Sequence, residues 1–187
     1  YLPFVPTQKE AELFISSLPD LKPKAMVSLM YSSGLRVGEV CSLRYCDIQR
    51  KNMRIHVTHS KNRSDRYAIL SQKALDILTE YWFAYNRPTG WLFPKQTDPS
   101  RPIDTFYIMR HMRAHEDSLG WEHRITCHSF RHAFGTHLYE NGADLLTIKT
   151  LMGHKSLNST LLYIHLASYQ ARNVISPFDR IGGGSLE

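Results

Sequence analysis

The residues whose types are best suited to chemistry stand close together in this sequence, within residues 127–165. His128 and Arg131 are three positions apart, so on a helix they share one face and can contact the same ligand. His154 and Tyr163 follow further along the chain. Two imidazoles, a guanidinium and a phenol include no carboxylate that would hold a metal ion. The set suits an anion, in particular a phosphate whose phosphorus a phenolate oxygen attacks.

Two glycines allow these side chains to meet. Gly142 and Gly153 predict helix ends, because glycine readily adopts the left-handed backbone conformation that terminates helices. The chain can turn back after each of them. We therefore predict that a helix carrying His128 and Arg131 packs against the later segments, so that all four side chains converge.

The order His-x-x-Arg, Leu-Met-Gly-His and then a tyrosine nine residues beyond that histidine resembles the tyrosine recombinase (phage integrase) family. That family also uses an earlier arginine, in a Gly-Leu-Arg-x-x-Glu turn, and a lysine on a β-hairpin. The sequence contains both, as Arg36 with Glu39 and as Lys61 in the polar stretch 59–66. The matching elements occur in the same order between Arg36 and Tyr163, which makes the resemblance specific.

The resemblance implies a reaction and the residues that carry it. Tyr163 is the nucleophile, whose oxygen attacks a backbone phosphorus, forms a 3′-phosphotyrosine bond and expels a deoxyribose 5′-hydroxyl. Arg36 and Arg131 hold the phosphate, since a planar guanidinium donates two parallel hydrogen bonds and stays charged. Lys61 delivers a proton to the leaving oxygen.

The remaining candidate residues support these four. The resemblance implies that His128 and His154 hydrogen-bond the phosphate and help to move the tyrosine proton, and that Glu39 orients a cationic residue of the site. Arg63 and Arg66 are candidate contacts along the DNA strand. The alternative is that both arginines belong to a solvated, charged turn.

Composition fits a nucleic-acid partner. Lys and Arg number 23 against 17 Asp and Glu, and the pI is about 9.3, so the chain should attract a polyanion such as double-stranded DNA. A chain of 187 residues with 42% hydrophobic residues can bury one sizeable core. We expect one catalytic domain over residues 1–181, without the N-terminal helical domain that family members usually have. Residues 182–187 resemble a linker and cloning scar.

The cysteines and the hydropathy pattern bear on location. Cys41, Cys46 and Cys127 are an odd number of thiols, which favours a reducing compartment over a disulfide framework. No apolar run approaches the ~20 residues of a membrane helix, and the N-terminus lacks the pattern of a signal peptide. We expect a soluble, cytoplasmic protein with no membrane partner.

Two histidine pairs raise the question of a metal. His111 with His115, and His128 with His132, place imidazoles one helical turn apart. No cysteine pair or acidic third ligand accompanies them at zinc spacing. We expect no metal and no cofactor, because a tyrosine mechanism keeps the phosphodiester energy in the protein linkage.

The expected fold is mostly α-helical with a small antiparallel β-sheet, the class that the resemblance also implies. A capping box at residues 7–10, Pro23 in the first turn of a second helix, and Asp104 before a later helix indicate helix starts. Apolar and polar residues alternate over residues 53–58, which predicts a strand. Residues 67–70 return as the second strand of a hairpin.

Further elements follow from similar signals. A short helix should begin near Arg36, Ser71 should cap another, and residues 91–93 suggest a short third strand. The helix after Asp104 should run to about Ala114. If residues 167–181 are helical they carry an apolar stripe, which can pack on its own domain or on a neighbouring protomer. The stripe consists of Val174, Ile175, Phe178 and Ile181.

We interpret the chain as the catalytic domain of a site-specific DNA recombinase or integrase. The resemblance implies that the chain is monomeric when free, and that four protomers on DNA bring two duplexes together and exchange strands through a Holliday junction. Three other functions stay open. A type IB topoisomerase shares this pocket chemistry and relaxes supercoils, a DNA-binding module would have no catalysis, and a metal-dependent nuclease would cleave without Tyr163.

Overall fold

Eight α-helices and two small antiparallel sheets make up the part of the chain that the computed structural model describes, residues 3–58 and 65–167. The helices are α1 (Gln8–Ser17), α2 (Leu21–Ser33), α3 (Val37–Cys41), α4 (Gln72–Ala84), α5 (Thr105–Leu119), α6 (Cys127–Glu140), α7 (Leu145–Met152) and α8 (Asn158–Leu166). The strands are β1 (Ile48–Gln49), β2 (Arg54–Val57), β3 (Arg66–Ile69), β4 (Pro94–Lys95) and β5 (Asp98–Pro102). The mostly helical class with a small antiparallel sheet is confirmed.

Some residues singled out in the sequence lie outside the described ranges. Lys61 and Arg63 belong to residues 59–64, between β2 and β3. The apolar stripe predicted beyond Ala167 also lies outside them.

The helix ends follow the local signals in the sequence. Oγ1 of Thr7 accepts a hydrogen bond from the backbone N of Glu10 at 3.2 Å, and the Glu10 carboxylate accepts one from the backbone N of Thr7 at 2.7 Å. This confirms the capping box of α1. The side chains of Ser71 and Asp104 cap α4 and α5 as expected. Gly34 ends α2 with a φ of +63°.

Gly34 is held by two constraints, so its replacement should destabilise the fold. Its backbone is left-handed, and a Cβ there would stand 2.6 Å from Cε1 of Phe134. We expect Gly34→Ala to lower the free energy of unfolding by about 2–5 kcal/mol, because the left-handed conformation costs about 1–2 kcal/mol and crowding adds about 1–3. Urea unfolding would measure this loss.

Gly38 in α3 provides the matched control for that prediction. No atom lies within 4 Å of a Cβ built on Gly38. Gly38→Ala should be neutral or stabilising by up to about 1 kcal/mol, since alanine favours a helix over glycine. Equal losses in the two variants would contradict the packing argument.

The hairpin of β2 and β3 confirms the alternation read in the sequence. The strands pair antiparallel, with Ile55 opposite Ala68 and Val57 opposite Arg66. Ile55, Val57 and Ala68 are buried, so this face of the hairpin packs on the core. Directly paired residues share a face of the sheet. Arg66 therefore stands on the inward face, at the start of β3.

The third strand of this sheet is not the predicted one. β1 pairs with β2, whereas residues 91–93 contribute no strand to this sheet. Leu92 and Phe93 are buried in bends that precede β4, and the backbone N of Leu92 donates to the carbonyl of Leu43 at 2.8 Å. Their apolar character reflects core packing. β1 was missed because two residues are too few to show a period.

α5 continues past Ala114, where the sequence suggested its end. The next residues, His115 and Glu116, are polar but buried. The carboxylate of Glu116 accepts hydrogen bonds from the backbone N of Ile125 and, at 3.0 Å, from Nη1 of Arg124. Polar side chains that form hydrogen bonds within the protein can occupy buried helical positions. The polarity of His115 and Glu116 therefore led the sequence prediction to end α5 too early.

Two apolar clusters form the interior. The larger involves α1 to α6 and the three-stranded sheet, and the smaller lies between α6, α7 and α8. α6 contributes to both, with Phe130 in the first and Phe134 in the second. The buried members of the smaller cluster are Phe134, Tyr139, Ile148, Met152 and Tyr163. Among the described residues, no helix is long and apolar enough to span a membrane.

Candidate active site

Glu39 is the carboxylate around which cationic side chains gather. It stands in the first turn of α3, directly after Arg36 has started that helix. Its Oε2 accepts from the backbone N of Arg36 at 2.8 Å, and its Oε1 accepts from Nη1 of Arg36 at 2.9 Å. The Arg36 side chain is 24% exposed. One side of this guanidinium is thus held by protein, and the rest can meet a ligand.

Arg66 also binds Glu39, through both prongs of its guanidinium. Nη1 and Nη2 donate to Oε1 and Oε2 of Glu39, each at 2.9 Å, and Nε donates to the carbonyl of Leu151 at 3.2 Å. The Arg66 side chain is 10% exposed. This differs from the expectation of a DNA contact or a solvated turn. The reason is the position of Arg66 on the inward face of β3, where the Glu39 carboxylate, whose side chain is 12% exposed, accepts from both of its terminal nitrogens.

Arg131 joins the ends of two other helices to this group. It lies on α6 and is 5% exposed. Its Nη1 donates to the carbonyl of Gly34, at the end of α2, and its Nη2 donates to the carbonyl of Met152, at the end of α7, at 2.6 Å. Nη1 also lies 3.9 Å from Oε2 of Glu39. The second predicted clamp residue is thus fixed in place by its own hydrogen bonds.

Tyr163 lies on α8 with its ring packed against α6, and it is 1% exposed. A Cβ on Gly135 would stand 2.5 Å from Cζ of Tyr163, so the phenol end rests on the backbone of α6. Its ring is nearly parallel to that of His154, with centroids 6.1 Å apart, and its centroid lies 6.3 Å from that of His132. Sequence reasoning missed Gly135. The available signal was its position four residues after Arg131, on the same face of the helix.

The histidines occupy different environments. His154 follows Gly153, the left-handed residue that ends α7, and its Nδ1 lies 2.9 Å from Oγ1 of Thr160. Burial and the charges of neighbouring arginines lower the pKa of His154 to about 4, so its imidazole is neutral at pH 7. His128 is exposed in the first turn of α6, with its ring centroid 6.4 Å from that of His132. His128 therefore stands at the open edge of the group.

Burial and charge act in opposite directions on the tyrosine. Burial raises the pKa of Tyr163 to about 12, although the positive charges of Arg131 and Arg36 favour its ionised form. Burial and the charge of Arg36 lower the pKa of Arg131 to about 10, so this guanidinium is still charged at neutral pH. The phenol is protonated at rest, and its proton must leave before the oxygen can attack.

Glu39 makes the stability of this site sensitive to acid. Burial opposes its ionisation, but the hydrogen bonds and charge of Arg66, with those of Arg36, lower the pKa of Glu39 from 4.5 to about 2. A carboxyl group with a depressed pKa stabilises the folded state above its unfolded pKa. That stabilisation, on the order of 3 kcal/mol, is lost as pH falls from about 5 to about 2.

We therefore expect the stability advantage of the parent chain over a Glu39→Gln variant to depend on pH. The free energy of unfolding, measured in urea at pH values from 7 to 2, should differ most near neutrality. The difference should shrink by about 3 kcal/mol through the acid range, because only the parent carries the titrating carboxylate. A difference that stays constant with pH would show that Glu39 is not held as an ion.

The structure brings together six of the residues singled out in the sequence and sets a seventh at their edge. The convergent group is Arg36, Glu39, Arg66, Arg131, His154 and Tyr163, with His128 beside it. The group places a buried phenol beside guanidinium groups that share one carboxylate, and this arrangement suits the binding of a phosphate. Within residues 3–58 and 65–167, no cluster of three or more His, Cys, Asp or Glu side chains is placed to hold a metal ion.

The chain has clear sequence relatives. Residues 6–170 match the phage integrase family. The chain is 36% identical, over 178 residues, to the Sinorhizobium fredii protein that carries the name integrase/recombinase y4eF, covering 95% of this chain and 70% of that protein. It is 33% identical over 156 residues to tyrosine recombinase XerD of Lacticaseibacillus casei, covering 79% of this chain and 52% of the relative. The chain thus spans little more than half the length of the latter.

Solved structures share the fold. The crystal structure of XerA recombinase superposes with a TM-score of 0.81 and 28% identity, covering 91% of this chain and 61% of that one. The XerH site-specific recombinase bound to its difH substrate gives a TM-score of 0.76 at 22% identity, covering 88% of this chain and 51% of that one. The catalytic domain of bacteriophage HP1 integrase gives 0.63 at 18% identity, covering 87% of this chain and 88% of that one.

Proposed function

Because this chain belongs to the phage integrase family, we propose that it is the catalytic domain of a site-specific tyrosine recombinase, which cleaves and rejoins double-stranded DNA through a 3′-phosphotyrosine intermediate. The proposed domain covers residues 1–181, with residues 182–187 as a linker or cloning scar. One observation carries the proposal. A buried phenol, Tyr163, lies in the field of two arginines, Arg36 and Arg131, that share one carboxylate.

The proposed reaction assigns each group a step. Arg36 and Arg131 hold the non-bridging oxygens of the scissile phosphate and stabilise the charge that develops on them. The oxygen of Tyr163 attacks phosphorus, the bond from phosphorus to the 5′-oxygen breaks, and Lys61 supplies the proton to that oxygen. The negative charge of the bound phosphate should raise the low pKa of His154, so that its neutral imidazole can accept the proton of Tyr163, with His128 as a second hydrogen-bonding group at the open edge. Religation reverses these steps and needs no cofactor.

The burial of Tyr163 bears on how the reaction is controlled. At 1% exposure its oxygen cannot reach a DNA phosphate without a displacement of α8 or of the ring. Binding of DNA and of neighbouring protomers would supply that displacement, since a ligand shifts a conformational equilibrium by binding one state more tightly. This fits strand exchange by four protomers through a Holliday junction. If residues 167–181 are helical, their apolar stripe is the candidate contact between protomers, and packing on its own domain is the alternative.

Adduct trapping tests the proposed function directly. Nicked duplexes made from the DNA that flanks the gene lose a short fragment on cleavage, so the covalent intermediate accumulates. We expect an SDS-resistant adduct whose modified peptide contains Tyr163, formed equally well in EDTA. Dependence on a divalent metal would indicate a nuclease, and relaxation of supercoiled plasmid lacking any special site would indicate a topoisomerase. Binding without any adduct would leave a DNA-binding module.

Lys61 should affect cleavage through the leaving group. Lys61→Ala should slow adduct formation by about 10²- to 10⁴-fold, the usual contribution of a positioned general acid. A duplex with sulfur in place of the bridging 5′-oxygen should restore most of this rate, because a thiolate leaves without a proton. The parent chain on both duplexes is the control. Equal impairment of the variant on the two substrates would remove Lys61 from the role of acid.

A further inference from the structure

We propose that Arg66 is a positioning residue of the reaction, which neutralises Glu39 so that Arg36 and Arg131 keep their charge and their free donors for the phosphate. This inference rests on the proposed function. It also gives Arg66 a second task, which is to hold the turn that presents His154. Both tasks follow from contacts that Arg66 makes inside the protein.

The first task follows from the hydrogen bonds on the Glu39 carboxylate. Both oxygens of Glu39 accept from Arg66 at 2.9 Å, whereas only Oε1 accepts from the guanidinium of Arg36. Arg131 stands 3.9 Å away, outside hydrogen-bond distance. The two-pronged pair is the stronger arrangement, so Arg66 is the principal partner of the carboxylate. The clamp arginines are its lesser partners.

The charge balance of the pocket shows why this matters. Three guanidiniums face one carboxylate, which leaves two net positive charges near the phosphate position. Without Arg66, a single net charge would remain, and Glu39 would be free to pair more closely with Arg36 and Arg131. A clamp that is paired with a carboxylate competes poorly for phosphate. Arg66 therefore acts through Glu39, without touching the substrate.

The second task follows from the end of α7. Nε of Arg66 donates to the carbonyl of Leu151, and Arg131 donates to the next carbonyl, that of Met152. The last carbonyls of a helix lack partners within it, so two cations satisfy them here. A Cβ on Gly153 would stand 2.7 Å from Cδ of Arg66, so the arginine fills the space beside that glycine. His154 follows immediately.

Arg66 links parts of the chain that are distant in sequence. Its partners lie 27 residues before it, at Glu39, and 85 residues after it, at Leu151. It thereby joins β3 to α3, which begins directly after Arg36, and to the end of α7, which is followed by His154. Each of its three guanidinium nitrogens donates to a protein acceptor. Three of its five N–H groups are therefore held by protein acceptors, and the side chain is only 10% exposed, which favours an internal role over a contact with the DNA backbone.

The test compares the parent with Arg66→Gln, Glu39→Gln and the double variant. Cleavage of the duplex found by adduct trapping is followed under single turnover, and affinity for a 30-base-pair duplex of arbitrary sequence is followed by fluorescence anisotropy at several salt concentrations. Arg66→Gln should slow cleavage by about 10- to 100-fold, the usual effect of losing a supporting partner of a reactive group. Duplex affinity should stay within about threefold of the parent, and its salt dependence should be unchanged.

The double variant carries the decisive result. Removing Glu39 along with Arg66 restores two net positive charges. The double variant Arg66→Gln/Glu39→Gln should therefore recover at least about a third of the rate lost in Arg66→Gln, counted on a logarithmic scale. A double variant no faster than Arg66→Gln would overturn the neutralising role. A salt slope that falls by about one in Arg66→Gln would overturn it too, since that change marks a lost phosphate contact.

Two further measurements keep the inference testable if a variant or the substrate fails. Arg66→Lys retains the charge, so its cleavage rate should lie between those of the parent and of Arg66→Gln. If Arg66→Gln does not fold, Arg66→Lys and the double variant still test the charge balance. Inorganic phosphate serves as a probe that needs no cleavage. It should raise the thermal midpoint of the parent and of the double variant more than that of Arg66→Gln. If the parent forms no adduct, the proposed function fails, while the phosphate result still decides on Arg66.

Discussion

Tyr163→Phe should abolish covalent attachment to DNA while duplex affinity stays within about twofold of the parent, because the change removes one oxygen and no positive charge. The ring is 1% exposed and rests on Gly135, so phenylalanine fits the same space. Loss of the buried hydroxyl should change the free energy of unfolding by no more than about 1.5 kcal/mol. The adduct would be measured on denaturing gels after incubation with the nicked duplex.

Tyr139→Phe is the matched control for that result. Tyr139 is 7% exposed and belongs to the same small apolar cluster as Tyr163. The Tyr139→Phe variant also loses one phenolic oxygen, at a position close by on α6, and it should form the adduct at the parental rate. An adduct in Tyr163→Phe, or a modified peptide that contains another tyrosine, would overturn the assignment of the nucleophile.

The burial of Tyr163, the proposed nucleophile, could not be predicted from the sequence. The motif spacing placed Tyr163 in the site, but nothing in the local pattern indicated that its ring would be covered. The cover comes from tertiary packing on Gly135 and from the parallel ring of His154. The same burial raises the pKa of Tyr163 to about 12, which keeps the resting phenol protonated. Under the proposed function, a covered and protonated Tyr163 should react slowly until DNA or a neighbouring protomer moves it.

Features set by neighbours in the chain were predictable from the sequence. The capping box of Thr7 and Glu10, and the glycine that ends α2, depend on contacts within four residues. Glu39 lies three residues from Arg36 and accepts two hydrogen bonds from it, which is a contact of the same local kind. These signals are local, and the competing tertiary forces left them intact.

Features set by distant contacts were not predictable in the same way. Arg66 was a candidate DNA contact, with a solvated, charged turn as the alternative, because it stands in a basic stretch between two strands. Its actual partners, Glu39 and Leu151, are 27 and 85 residues away. One signal was available, since Arg66 has the same parity as Ala68 and Leu70, which are buried. A strand alternates its faces, so a charged residue of that parity faces inward and requires a partner.

Arg131→Lys should reduce the cleavage rate by about 10²- to 10³-fold even though the positive charge is kept. An arginine can donate from two terminal nitrogens in fixed directions, whereas a lysine presents one ammonium. In this chain the two nitrogens of Arg131 donate to the carbonyls of Gly34 and Met152, and their remaining hydrogens are left for a phosphate. A lysine cannot span both carbonyls and also present two parallel donors.

The same geometry gives a stability cost that must be separated from the chemical one. Leaving a buried carbonyl at the end of α2 or α7 without its donor costs about 1–3 kcal/mol, so Arg131→Lys should also lower the thermal midpoint. Rates would therefore be compared well below the midpoint of the variant, with the folded fraction checked by circular dichroism. Arg124→Lys is the control, because Arg124 also donates to two acceptors, Glu116 and Asp117, on an exposed face.

The comparison of Arg131→Lys with Arg124→Lys separates the contribution of the phosphate clamp to the cleavage rate from any general effect of replacing an arginine by a lysine. Arg124→Lys exchanges the same atoms, and we expect cleavage within about threefold of the parent because its hydrogen-bond partners, Glu116 and Asp117, are not residues of the candidate site. Arg131→Lys should bind the duplex nearly as tightly as the parent, because the positive charge is retained. It should cleave the duplex far more slowly, because the lost interaction strengthens only as charge develops on the phosphate oxygens. If folded Arg131→Lys cleaved within threefold of Arg124→Lys, the guanidinium geometry would not be what stabilises the transition state, and the clamp would reduce to a charge.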